Sequence, residues 1–133
     1  MEMDRRGGAA PRRVDSCGLS SIVYKICPRS AWIEAQAKGE LAPSAADARD
    51  GYVHLSAAHQ ARSTAAKHFA GVADLVLLSV DVDRLPTGAL RWEISRDGER
   101  FPHLYDRLRP KHVVEATDLP LGPSGAHEWP DDP

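Results

Sequence analysis

Tyr52, His54 and Ser56 occupy alternate positions just ahead of a stretch that reads as a helix, an arrangement able to hold a ligand. With a period of two they share one face of a strand, while Val53 and Leu55 share the other. Strand-to-helix junctions suit anionic ligands, because free amides at a helix N-terminus attract negative charge. His54 can orient a hydroxyl or carry a proton. The plainer alternative is a surface strand whose Ser56 only caps the helix.

A second group is Trp92, Glu93, Ser95 and Arg96, followed by Pro102, His103 and Tyr105. Glu93 can accept from a sugar hydroxyl, act as a base, or steady a developing cation. Arg96 can pair with a phosphate or carboxylate. The alternative is an exposed hairpin carrying a weak Glu–Arg surface pair. Asp97-Gly98 between the two halves is a strong hairpin signal. A strict two-residue turn sets Trp92 opposite His103 and Glu93 opposite Pro102, which puts Glu93 and His103 on opposite sides. Both line one pocket only if Pro102 marks a bulge or ends the pairing.

Other chemistries lack a signal. No pair of His stands at zinc-site spacing, so no metal is expected. There is no G-x-S-x-G elbow for a hydrolase and no G-x-G-x-x-G after a strand.

The elements that must position these groups follow from periodicity. Ser21 to Ile26 reads as a strand, with Tyr24 on one face and Lys25 on the other. A helix then starts at Pro28 or Ser30, carries Trp32, Ala35 and Gln36, and stops at Gly39. Residues 40–50 read as a loop in which Ser44, Asp47 and Asp50 satisfy backbone groups locally. Ser56 is expected to cap a helix from Ala57 to Phe69 with Ala58, Ala61, Ala65 and Phe69 as its apolar stripe, beside Gln60, Thr64 and His68. Asp74 to Val82 reads as a central strand. Leu90, Trp92 and Ile94 are expected to face the core from the next strand, and His112 to Thr117 forms the last. Strands and helices alternate first, then strands follow one another, which indicates an α+β domain with a small mixed sheet and two main helices.

The 133 residues suffice for one hydrophobic core. Residues 1–20 read as a disordered leader, 21–130 as the domain and 131–133 as a tail. A formal net charge of -2 and no basic run argue against a nucleic-acid partner. No apolar stretch approaches the roughly 20 residues of a membrane span. Only Cys17 and Cys27 occur, so no disulfide framework is expected and the chain reads as cytoplasmic.

Taken together, IVYKI with Trp32 and Gly39 downstream, DGYVHLS, TAAKHF, DLVLLSVD and LRWEISRDGERFPHLY resemble a bacterial group, domain-of-unknown-function family 952. The likeness runs over roughly residues 22–130. That family is grouped with the ADP-ribosyltransferase-like fold, so the resemblance implies a small split sheet whose cleft binds NAD in active members. It further implies that a His or Arg on the first strand grips a ribose, a Ser or Tyr on the second frames the nicotinamide, and a late Glu steadies an oxocarbenium-like transition state. Glu93 matches the last role by type and Ser56 the second. Lys25 stands where the His or Arg is expected, with Tyr24 beside it, so either His54 takes over that grip or NAD is not the ligand.

Two functions follow. One is an enzyme acting at a nucleotide's ribose, by ADP-ribosyl transfer or N-glycosidic cleavage, with NAD as substrate. Glu93 and His54 would be its catalytic pair, with Tyr24, Lys25, Ser56, Arg96, His103 and Tyr105 binding. The other is a non-catalytic module for a small anionic metabolite or a partner's peptide.

Overall fold

A computed structural model describes residues 22–130; the expected leader with Cys17, Ser21, and the tail at 131–133 lie outside the described residues. The first strand, β1 (Ile22–Pro28), runs directly into α1 (Arg29–Lys38), because Pro28 stays extended at the helix's N-cap. Gly39 ends α1 at a φ of 91°, a left-handed conformation that glycine adopts without a Cβ clash. Then follow α2 (Ala45–Asp50), β2 (Val53–His54), α3 (Ala58–His68) and β3 (Leu75–Asp81). The chain closes with β4 (Leu90–Ile94), β5 (Arg100–Leu104) and β6 (Val113–Leu119).

The six strands form two three-stranded sheets, ordered β1-β3-β6 and β2-β5-β4. Every pairing is antiparallel, so the expected α+β class stands while the mixed sheet does not. Only β4 and β5 are joined by a short turn, which forces an antiparallel pair; the other partners meet antiparallel after long excursions through helices or other strands. Two backbone hydrogen bonds stitch the sheets together. Tyr24 N donates to Ser56 O at 2.7 Å, and Ser56 N donates to Tyr24 O at 2.8 Å.

β3 is the central strand of its sheet and is buried along Leu75 to Val80. One of its faces contributes Val76, Leu78 and Val80 to a core shared with Val23, Ala35, Val53, Leu55 and Leu104. Trp32 packs against that core. The other face sends Leu75 and Leu77 toward Ala65 of α3, joined by Ile26 and Leu119. Cys27 is a free, buried thiol; burial pushes its pKa up to about 11 against the opposing pull of Lys25, as suits an inert core residue. Among the described residues, no helix is long and apolar enough to cross a membrane.

Several expectations are corrected. Residues 45–50 form a helix rather than a loop, for a reason that belongs to the site below. Ser56 does not cap α3. Ala57 holds the N-cap position, its N–H donating to Gln60 Oε1 at 2.9 Å, while Ser56 Oγ lies 3.1 Å from Thr64 Oγ1. Ala58 is exposed, leaving Ala61 and Ala65 as the buried stripe. On β4, Trp92 and Ile94 are 45% and 65% exposed instead of facing the core. Their face meets the core only at the Leu90 and Leu104 end, and the strand runs past it. Ile94→Ala is therefore expected to alter stability by no more than about 0.5 kcal/mol. Leu78→Ala, in the closed core, should cost about 2–5 kcal/mol. Urea unfolding of both variants measures the contrast.

Candidate functional site

The site is built around α2. Ser44 Oγ accepts from Asp47 N at 3.1 Å and Asp47 Oδ2 accepts from Ser44 N at 3.2 Å, a reciprocal capping box. It satisfies backbone groups at the helix start, and Gly51, at a φ of 84°, closes the other end. This is why six residues that look loop-like become helical.

Asp47 is 3% exposed and accepts further bonds. Lys25 Nζ donates to its Oδ2 at 3.1 Å, and His54 meets its Oδ1 through the backbone N at 3.0 Å and through Nδ1 at 2.7 Å. One buried carboxylate thus ties β1, α2 and β2 together. Burial pushes the Asp47 carboxyl upward, but the charge of Lys25 and the bonds from His54 and Lys25 outweigh it and hold the group below its ordinary value. Lys25 also donates to His54 O at 3.3 Å. The other ring nitrogen of His54 lies 2.9 Å from Asp50 Oδ2. Asp50 is held at about 2, chiefly by Arg49 and with help from His54. Ionised carboxylates only accept, so both contacts are filled together when the imidazole carries two protons.

The second half of the site depends on the hairpin register. β4 and β5 are joined through Ser95 and Glu99, with Arg96, Asp97 and Gly98 as a three-residue turn. Asp97 and Gly98 both have positive φ there. The strict two-residue turn is thereby overturned. The extra residue shifts the pairing by one, so Arg91 opposes His103, Trp92 opposes Pro102 and Glu93 opposes Phe101. A one-residue slip exchanges the faces of a strand. Glu93 and His103 consequently lie on the same face, with no bulge at Pro102. His54 pairs with His103 across β2 and β5, which brings it to that face as well.

His103 Nδ1 lies 2.8 Å from Glu93 Oε1, and Tyr105 donates its hydroxyl to the same oxygen at 2.7 Å. These two bonds, Tyr105 first, hold the Glu93 carboxyl below its ordinary value. The bond to Glu93 also raises Tyr105, whose ring lies under the Arg91 guanidinium at 5.0 Å. Tyr52 stacks on His103 with ring centroids 4.0 Å apart, and tilts against His54 at 4.7 Å. Burial, then the charge of Asp50, raises the Tyr52 phenol.

A cleft of about 560 Å³ opens where the two sheets part, lined by β1, α2, β2, α3 and β5. Tyr24, Lys25, His54, Ser56 and His103 line it, together with Tyr52. Glu93 bonds to His103 and to Tyr105, neither Glu93 nor Tyr105 lines the cleft, and Arg96 belongs to the hairpin turn. Trp32 belongs to the core rather than to the cleft. Sequence reasoning missed the site roles of Asp47 and Asp50. Ser44-x-x-Asp47 is a capping-box pattern, so α2 was detectable; the buried contacts of Asp47 with residues 22 positions before it and 7 after it were not. Gln60 was also missed as a link. Its amide donates to Arg100 O at 2.8 Å and Glu99 Oε1 at 3.0 Å, fastening α3 to the hairpin.

Among the described residues, no group of three or more His, Cys, Asp or Glu side chains is arranged to hold a metal ion. Asp47→Ala is expected to destabilise the fold by about 3–5 kcal/mol, because it strands the Lys25 ammonium in a buried site. The native Asp47 carboxyl titrates below the ordinary aspartate value of about 3.9. Its stabilisation is therefore full above that value and is lost as pH falls from there through the native value. Unfolding free energies measured from pH 6 downward should fall less steeply for Asp47→Asn than for the wild type.

Comparison with known proteins finds relatives of the chain as a whole. The family model described as "Protein of unknown function (DUF952)" matches residues 26–116. The crystal structure of protein CC0527 from Caulobacter crescentus is 47% identical, with a TM-score of 0.76 over 80% of this chain and 93% of that one. The solution structure of CC0527 gives 48% identity and a TM-score of 0.70 over 80% and 90% of the two chains. No curated protein matches.

Proposed function

Because the chain belongs to the Protein of unknown function (DUF952) family, a membership that names no reaction, we propose a function from the cleft itself: it binds a nucleotide of the NAD class and acts at its ribose, by ADP-ribosyl transfer or N-glycosidic cleavage. The carrying observation is the convergence of His54, His103 and Tyr52 on one cleft, with the ionised Glu93 bonded to His103. The two parting antiparallel sheets agree with an ADP-ribosyltransferase-like fold, and we read the fold so.

In this proposal the negative charge at Glu93 acts across His103 to favour the positive charge that builds up in the cleft as the glycosidic bond of the ribose breaks. His54 is held between Asp47 and Asp50 and positions the nucleotide. Ser56 and Tyr24 supply hydrogen-bonding groups where the sheets meet. Lys25 is paired with Asp47 and so does not grip a ribose; the ring of His54, fixed by Asp47 and Asp50, supplies a face for the nucleotide instead. Arg49, beside Asp50 at the cleft's edge, brings a guanidinium for phosphate. The volume is within the range of small-molecule sites. The partner is thus a small nucleotide rather than a nucleic acid or a membrane, and NAD enters as substrate.

One observation favours a second reading. Both ring nitrogens of His54 and Oε1 of Glu93 are already engaged within the protein, which preorganises a binding surface without requiring a reaction. In that reading the cleft holds a small anionic metabolite or a peptide from a partner.

NAD and ADP-ribose supplied at 100 times their dissociation constants should each stabilise the protein by about 2.7 kcal/mol, seen as a raised Tm. A flat response to both would reject nucleotide binding. Glu93→Gln is expected to keep the ligand shift and to lower NAD consumption by at least tenfold. Equal absence of product from wild type and variant would leave the binding module as the function.

A further inference from the structure

We infer that His103 is the group that meets the reacting ligand and takes up its proton, and that Glu93 acts through His103 as a positioning residue. The inference deepens the proposed function and rests on reading the cleft as a ribose site. It reverses the roles that residue type alone would give, where the acid touches the sugar and the imidazole only binds.

Three observations carry it. First, His103 lines the cleft, whereas Glu93 does not. Second, Oε1 of Glu93 is taken by two donors, His103 Nδ1 at 2.8 Å and the Tyr105 hydroxyl at 2.7 Å. A carboxylate only accepts, so this contact makes Nδ1 the protonated nitrogen and leaves Nε2 with its lone pair in the neutral ring. Third, the side chain of His103 is 4% exposed, yet Nε2 has no protein hydrogen bond among the described residues. Buried polar atoms without a partner are exceptions, and one on the wall of a cleft is explained by a ligand. Tyr52, stacked at 4.0 Å and 22°, fixes the plane of the ring.

The oxygen of water, or of an acceptor's hydroxyl, bonds to C1′ of the ribose as the C1′–N bond breaks. The electron pair of that bond departs on the nicotinamide nitrogen, and the nucleophile's proton passes to Nε2 of His103. Glu93 then faces an imidazolium, which it stabilises as it does not stabilise the neutral ring, and the proton leaves to solvent.

The test is long-range nitrogen–proton NMR of the full chain with and without ADP-ribose, backed by NAD turnover. In the free protein His103 should show the Nδ1-protonated tautomer, and Glu93→Ala should convert it to a mixture. ADP-ribose should shift the Nε2 resonance. His103→Gln should lower kcat for NAD at least a hundredfold with KM within threefold. Glu93→Asp should recover part of the activity that Glu93→Ala loses. An Nε2-protonated tautomer in the wild type overturns the inference while leaving nucleotide binding intact. So does an Nε2 resonance unmoved by ADP-ribose that demonstrably binds. Failure of ADP-ribose to shift either the Tm or any resonance overturns the proposed function and, with it, the role given to His103.

Discussion

A single carboxylate, buried to 97% of its reference surface, governs how this molecule is assembled around its cleft. Asp47 accepts from the backbone of Ser44, the ammonium of Lys25, and both the backbone and the ring of His54. Together these bonds fix three elements. The first starts α2, the second holds α2 against β1, and the last two set the position of β2. An unpaired charge so deeply placed would be costly, and its attraction for partners is correspondingly strong. Those partners come from three separate parts of the chain, so one carboxylate cross-links the cleft wall.

The opposite wall depends on a count of residues in a turn. Three residues in the turn that joins β4 and β5, instead of two, put Glu93 on the face of His103 and send Trp92 and Ile94 to the outside. The carboxylate then meets an imidazole already stacked by Tyr52, and Tyr105 completes the acid's surroundings. Gln60 reinforces the arrangement by holding the hairpin against α3. Chemistry on this face is thus a consequence of backbone register, since the same side chains shifted by one position would be divided between two surfaces.

The two walls meet at the pair of hydrogen bonds between Tyr24 and Ser56. Both bridge residues line the cleft, and the two apolar faces of β3 supply the cores on which the assembly packs.

Much of this was legible in the residues. Alternation correctly put Val53 and Leu55 in the core, because a strand's period is local and burial follows it, and it grouped Tyr52, His54 and Ser56 on the other face without deciding between a site and a plain surface. Gly39 as a helix stop, the buried run of β3 and the family likeness were equally readable, the last over residues 26–116. Tertiary structure decided the rest. Nothing near Asp47 in sequence shows that Lys25 will reach it, and Asp97-Gly98 suits turns of either length. Propensity and periodicity are properties of neighbouring residues, whereas the pairing of a buried charge and the register of a hairpin are settled by which distant groups are available to satisfy them.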